Sequence, residues 1–336
     1  MRVDANLPKA IGQTESAAAQ LQADGFDGIW IGETQHDPFL MALRAADATE
    51  TPTVGTAVAI AFARSPMTLA YSGWDLADYS RGRFVLGLGS QVKPHIERRF
   101  SMPWSHPAAR MRELVLALRA IWHSWSDGSS LDFRGDFYTH NLMTPFFRPE
   151  PHSWGAPPVL LAGVGERMTE VAGEVADGFL FHAFTTAPYL ADVTLPALKR
   201  GRGAAGRDAL GSFDIAGPAF VATGRDEAEL ARAVRGTRAQ IAFYASTPAY
   251  RPVLEHHGWA DLQPELTKLS KEGRWEDMGD AIDDEVLHAF AVVGPPEEAG
   301  RGLRERWAGT ATRITLYTPY PCDPETLRQV AGAARG

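Results

Sequence analysis

The chain has 336 residues, 45% apolar and 22% charged, with 33 basic against 41 acidic side chains and a net charge of −8. This composition excludes wholesale disorder and supplies a large core, while the acidic balance argues against non-specific binding to nucleic acid. No uncharged apolar run approaches the roughly 18 residues that a bilayer-spanning helix needs. The first residues lack the apolar stretch of a secretory signal, and the lone Cys322 rules out an intramolecular disulfide, so the expected compartment is the cytoplasm.

In chain order, short apolar runs bounded by turn residues predict strands over 2–6, 28–32, 54–60, 84–89, 158–162, 178–182, 214–221 and 313–317. Between them, helical periodicity predicts helices over 15–23 with Thr14 as cap, then 38–48, 66–79, 110–124, 166–175, 188–199 and 226–244. Ser65 is the expected N-cap and Pro66 the first-turn proline of the third helix. In the fourth, Met111, Leu114, Val115, Leu118, Ile121 and Trp122 form one apolar stripe. Eight strands alternating with helices predict an α/β fold, a single (β/α)8 TIM barrel over 1–336, rather than an open dinucleotide-binding sheet.

Three stretches exceed the bare repeat, at about 90–109, 125–156 and 246–300. The second reads as a small hairpin around Gly135-Asp136, and the third carries helical pieces near 261–271 and 280–290. At strand exits, such insertions are expected to wall and cover a site. The aromatic side chains Phe100, Trp104, Phe146, Phe147, Trp154, Tyr244 and Tyr250 would then face an apolar or aromatic substrate.

Barrel strands present chemistry at their C-terminal ends, which directs attention to Asn6, Glu33, His36, the run Ala57 to Ala61, Ser90, Gln91, the turn Gly163 to Arg167, His182 and Thr318. The glycine-rich exit Gly87-Leu88-Gly89 is expected to dock something flat. Gly163-Val164-Gly165-Glu166-Arg167 opens a helix and reads either as a phosphate cradle or as a tight turn. Glu33, His36 and Asp37 suit proton transfer. His182 reads as a site or a core histidine, and the doublet His256-His257 as surface. No HxH, HExxH, GxSxG, Walker A or complete dinucleotide fingerprint occurs, so no metal is expected. The basic stretch from Lys93 to Arg112 is a solvated loop or an anion-facing rim.

The chain resembles the bacterial luciferase-like superfamily, and within it the oxidoreductases that use coenzyme F420. The resemblance runs over nearly the whole length and is carried by Glu33-Thr34-Gln35-His36-Asp37-Pro38-Phe39, Gly55-Thr56-Ala57-Val58, Arg64-Ser65-Pro66, Ser80-Arg81-Gly82-Arg83-Phe84 with Gly87-Leu88-Gly89, and Gly163-Val164-Gly165 ahead of Ala176-Asp177-Gly178. It implies a cofactor lying across the strand exits, a cis peptide at Ala57–Val58 against the ring face, Ser90 and Gln91 at the ring edge, and the cofactor phosphate on Gly163, Val164, Gly165 and Arg167. His182 is counted with the cofactor contacts, His36 is the expected proton partner, and Glu33 orients it or bonds the ring.

The expected cofactor is the deazaflavin F420, whose acidic tail would reward the basic stretch; FMN is the alternative. The implied reaction is hydride transfer to or from a small organic substrate in a homodimer, with an FMN-dependent monooxygenase or a non-redox binding barrel as the other readings. Two family patterns are absent. A single His36 stands where monooxygenases often have a His-His pair, and Gln91-Val92 stands where the sugar-phosphate dehydrogenases have glutamate.

Overall fold

The computed structural model describes residues 1–8, 10–207 and 210–336. The chain has the (β/α)8 TIM-barrel fold, with added segments, and divides into two compact units.

The larger unit spans Ala5–Leu180 and Ala197–Asp214. Its strands Gly28–Ile31, Thr53–Thr56, Phe84–Gly89, Val159–Ala162 and Gly178–Leu180 pair in that order, all parallel. Near-continuous burial, complete for Gly28–Ile31, explains why they read as apolar runs rather than as alternating patterns. The expected strand over 54–60 is two pieces. Thr53–Thr56 stops, the Ala57–Val58 peptide is cis, and Ala59–Ile60 resumes pairing with Leu88 and Gly89.

Helix Pro66–Tyr79 begins as the sequence suggests, with Ser65 Oγ accepting from Thr68 N at 3.2 Å and Pro66 in the first turn. The six-residue stripe of helix Pro107–Asp127 is wholly buried. Helix Glu166–Val175 has the predicted bounds. Thr14 is not a cap but the first residue of helix Thr14–Ala23, its hydroxyl bonding back to Ile11 O at 2.9 Å. The hairpin exists, with Phe133 opposite His140 across Gly135-Asp136. The later part of the 125–156 segment is strapped along helix Pro66–Tyr79, where Tyr71 Oη donates to Phe147 O and Trp74 Nε1 to Glu150 O, and it leaves Phe146, Phe147 and Trp154 exposed.

The smaller unit comprises Met1–Asp4, Phe181–Pro196 and Ile215–Gly336. Strand Arg313–Tyr317 pairs in parallel with both Arg2–Asn6 and Asp214–Thr223. Strand Ala291–Gly294, unanticipated because it falls in the 246–300 insertion just past the helical piece expected near 280–290, adds to Asp214–Thr223. Asp4 and Arg313, both fully buried, form a two-point ion pair at 2.7 and 3.0 Å. The 246–300 insertion is a helical layer. Arg251–His256, Leu262–Lys271, Trp275–Asp280 and Asp284–Phe290 pack with Glu227–Ala245 around Ile241, Leu254, Leu266, Met278 and Leu287. The helix expected over 188–199 is broken by a wide turn at Leu190–Thr194 and runs on to Ala204. Helices Pro296–Trp307 and Pro324–Arg335 were not expected from the sequence.

Candidate active site

In the larger unit, the exits of the second and third strands are tied together by one carboxylate. Glu33 Oε2 accepts from Ile60 N at 2.7 Å and from Arg64 Nη1 at 2.6 Å. Arg64 also donates to Ile60 O at 3.1 Å and to Asp37 Oδ2 at 2.9 Å, and Asp37 Oδ1 caps helix Pro38–Asp47 by accepting from Phe39 N at 2.8 Å. Burial disfavours the Arg64 charge, but the bonds and charges of Glu33 and then Asp37 outweigh it and raise the pKa. Only 6% of the Glu33 side chain is exposed. Glu33 therefore holds backbone rather than orienting His36. The half-buried His36 ring has no hydrogen-bond partner among the described residues and is left available for other chemistry. Arg64, quoted above only as part of a motif, is the site residue the sequence reading missed, because its role depends on two exits meeting.

The cis Ala57–Val58 peptide, as the resemblance implied, lies between these clamps. Ala57 N donates to Ile31 O at 2.8 Å, and Val58 O accepts from Glu33 N at 3.2 Å. Ala57 is exposed and Val58 half-buried. The glycine-rich exit next door is used internally. A Cβ on Gly87 would lie 1.8 Å from Thr56 O, and one on Gly89 would lie 2.6 Å from Val58 Cγ2. These glycines admit the neighbouring strand exit. Ser90 and Gln91 also bond locally. Ser90 Oγ donates to Gln91 O at 3.0 Å, and Gln91, with φ of +60°, accepts from Val92 N through Oε1 at 3.0 Å.

Gly163, Val164, Gly165 and Arg167 form the turn that opens helix Glu166–Val175. No side chain caps the helix, and with Met168 N donating to Gly165 O at 3.1 Å, the N–H groups of Glu166 and Arg167 are those left without an intrahelical acceptor. They open on a cavity of about 590 Å³ lined by His106, Pro107, Ala108, Ala109, Gly165, Glu166, Arg167 and Met168. The two glycines differ. A Cβ on Gly165 meets nothing within 4 Å, whereas one on Gly163 would crowd Met168 and Phe179 at 3.0 and 3.2 Å. The Glu166 carboxylate is paired with Arg200, which offsets its charge beside the turn. Arg167 is exposed and unpaired.

The basic stretch splits. Arg112 makes a forked pair with Glu174, Arg110 lies over Phe62, Phe137 and Tyr138, and Lys93 faces Glu97 at 3.8 Å. Arg99 donates to Thr34 O at 3.0 Å, so the 90–109 segment does border the second-strand exit. Arg98 remains unpaired. The anion-facing rim is therefore narrower than the charge count suggested.

In the smaller unit, His182 lies beyond strand Gly178–Leu180, not within it. Its Nδ1 accepts from Phe184 N at 3.0 Å, its Nε2 lies 3.2 Å from Tyr250 Oη, and burial lowers its pKa to about 4. Tyr244 and Tyr317 share a hydroxyl contact of 3.1 Å. His257 is half-buried on Thr186 Oγ1 at 2.8 Å rather than free on the surface. Cys322 is half-buried, its thiol pushed up to about 11 by burial, which argues against a nucleophile. Among the described residues no three His, Cys, Asp or Glu side chains form a metal-binding group, and no helix is long and apolar enough to cross a membrane.

Comparison with known proteins places this geometry. Residues 2–313 match the family model described as luciferase-like monooxygenase. An uncharacterised protein of Mycobacterium tuberculosis is 55% identical over 314 residues, covering 94% of this chain and 92% of that protein. The 5,10-methylenetetrahydromethanopterin reductase of Archaeoglobus fulgidus is 26% identical over 317 residues, covering 92% and 90%. Among solved structures, the coenzyme F420-dependent tetrahydromethanopterin reductase of Methanopyrus kandleri superposes with a TM-score of 0.79 at 18% identity, covering 98% of each chain.

Proposed function

The chain is an enzyme of the luciferase-like monooxygenase family, and on that premise we propose that it is a cytoplasmic, homodimeric, coenzyme F420-dependent oxidoreductase acting on a small apolar or aromatic substrate. The observation that carries the reading is the uncapped N-terminus of helix Glu166–Val175 facing a cavity of about 590 Å³. Oriented N–H groups and the positive end of a helix dipole fit a phosphate monoester. The coenzyme F420 dependence named for the Methanopyrus kandleri reductase supports the choice of cofactor.

When bound, the deazaflavin supplies hydride chemistry. The chain's own residues divide the remaining work. Gly163, Val164, Gly165 and Arg167 would hold the phosphate; Ala57 and Val58 would meet the ring; Ser90 and Gln91 would shape the loop at its edge. His36, unpartnered at the second-strand exit, is the group proposed to move the proton that accompanies hydride transfer. Glu33 and Arg64 fix the backbone between them. Of the cofactor contacts expected from the sequence, His182 is reassigned below.

One observation favours FMN as the second reading. Arg110 and Arg112 are spent on aromatic and Glu174 contacts, which leaves Arg98 of that stretch without an ion pair among the described residues and free for an acidic tail. An absorbance scan of the purified protein followed by calorimetric titration with F420 and with FMN decides. Tighter binding of F420 is expected; tighter FMN supports the second reading, and binding of neither overturns both. Sedimentation checks the dimer.

A further inference from the structure

The smaller unit carries a group of polar aromatic side chains around His182. His182 stacks on Tyr250 at 4.6 Å and meets Tyr244 edge-on at 4.7 Å. Tyr317 completes the set through Tyr244. Three different elements bring them together: His182 follows strand Gly178–Leu180, Tyr317 ends strand Arg313–Tyr317, and Tyr244 and Tyr250 come from the end of helix Glu227–Ala245 and the turn after it. All four are partly buried, and Phe184 and Phe220 stand behind them.

Counting hydrogens shows what this group has left to give. Phe184 N–H donates to His182 Nδ1, so that nitrogen is an acceptor. A buried neutral imidazole then carries its hydrogen on Nε2 and donates it to Tyr250 Oη. The Tyr250 hydrogen is therefore not used on His182. Tyr244 and Tyr317 consume one hydroxyl hydrogen between them and leave the second. Burial raises the pKa of Tyr250 to about 12 and also raises those of Tyr244 and Tyr317, so all three hydroxyls keep their hydrogens at neutral pH. None of the four makes a hydrogen bond to a charged side chain. The result is an apolar aromatic wall with two spare O–H donors and no formal charge.

We infer that His182, Tyr244, Tyr250 and Tyr317 form, within the smaller unit, a recognition wall selective for a flat, neutral organic molecule bearing a carbonyl oxygen, which accepts from the spare tyrosine hydroxyls. The inference goes beyond the oxidoreductase reading and stands on the smaller unit by itself. A carbonyl oxygen offers two lone pairs and no hydrogen, complementary to two donors. Ammonium groups bring only donors, and carboxylates would be desolvated without a cation. His182 acts here as a positioning residue: its Nε2–H fixes the Tyr250 hydroxyl so that its hydrogen is directed away from the ring.

The test measures binding of two probes of similar shape, acetophenone and ethylbenzene, by ligand-detected NMR on the full chain with and without F420. In the wild type, acetophenone is expected to bind about tenfold more tightly, the worth of one good neutral hydrogen bond. Tyr250→Phe and Tyr317→Phe should each shrink that ratio while leaving ethylbenzene affinity unchanged, with a lower melting temperature because His182 Nε2–H or Tyr244 Oη loses its partner. A ratio near one in the wild type, or a ratio preserved in both variants, overturns the wall. F420 affinity is read in the same samples. Its absence with the probe ratio intact would remove the oxidoreductase reading alone, and its presence with the ratio lost would remove only the wall.

Discussion

Glu33 and Arg64, 31 residues apart, meet at 2.6 Å and share the backbone of Ile60, one taking its N–H and the other its C=O. Two strand exits and the start of a helix are thereby fixed by a single ion pair. Because the Glu33 carboxylate is nearly all buried, removing its cation is costly. Arg64→Met should lower stability by about 3 kcal/mol, the low end of the range for breaking a buried charge pair, and should lower turnover by displacing Ala57 and Val58. Urea unfolding and steady-state kinetics check both. Unchanged stability would show that water takes over the guanidinium's place.

The two glycines of the phosphate turn should separate binding from folding. Gly165→Val places its side chain in open space, so the melting temperature should hold while cofactor affinity falls by roughly 1–3 kcal/mol through lost N–H contacts. Gly163→Val must push aside Met168 and Phe179 and should destabilise by about 1–3 kcal/mol. Circular-dichroism melts beside calorimetric titrations resolve the two effects. A Gly165→Val protein that binds both F420 and FMN normally would show that the turn is structural only.

His36 is proposed as the proton partner because its ring has no hydrogen-bond partner among the described residues. His36→Ala should keep cofactor affinity, while turnover falls by roughly 10²–10⁴ and one limb of the pH–rate profile disappears. Were His36 merely a support for its loop, the variant would instead melt lower with an unaltered pH profile.

His182 makes stability depend on pH. Burial holds its pKa at about 4, whereas the unfolded chain titrates near 6.5. Between those values the unfolded state binds the extra proton, so stability is fully present above about 6.5 and declines as the pH falls toward 4. The loss approaches about 3 kcal/mol for this one group at its limit. Melting temperatures at pH 7 and pH 4.5 should therefore drop further in the wild type than in His182→Gln. Parallel drops would assign the acid sensitivity to other groups.

Much of this was legible in the sequence for a physical reason: strands buried on both faces read as apolar runs, and Ser65 with Pro66 marks a helix start by local chemistry. Strand Ala291–Gly294 escaped because a four-residue apolar run beside helix Asp284–Phe290 has no period of its own. The strapping of 125–156 along helix Pro66–Tyr79 escaped because composition does not say which neighbour an insertion packs on. At the site, residue types marked the exits. The partnership of Glu33 with Arg64 rather than His36, and the local bonding of Ser90 and Gln91, depend on distances between exits that no local pattern encodes.

The buried Asp4–Arg313 pair joins residues 309 positions apart. A contact that distant cannot form during most of synthesis, and long-range pairings of this kind slow folding. Asp4 is made some three hundred residues before its buried partner, so its carboxylate has no guanidinium to meet until strand Arg313–Tyr317 has been synthesised.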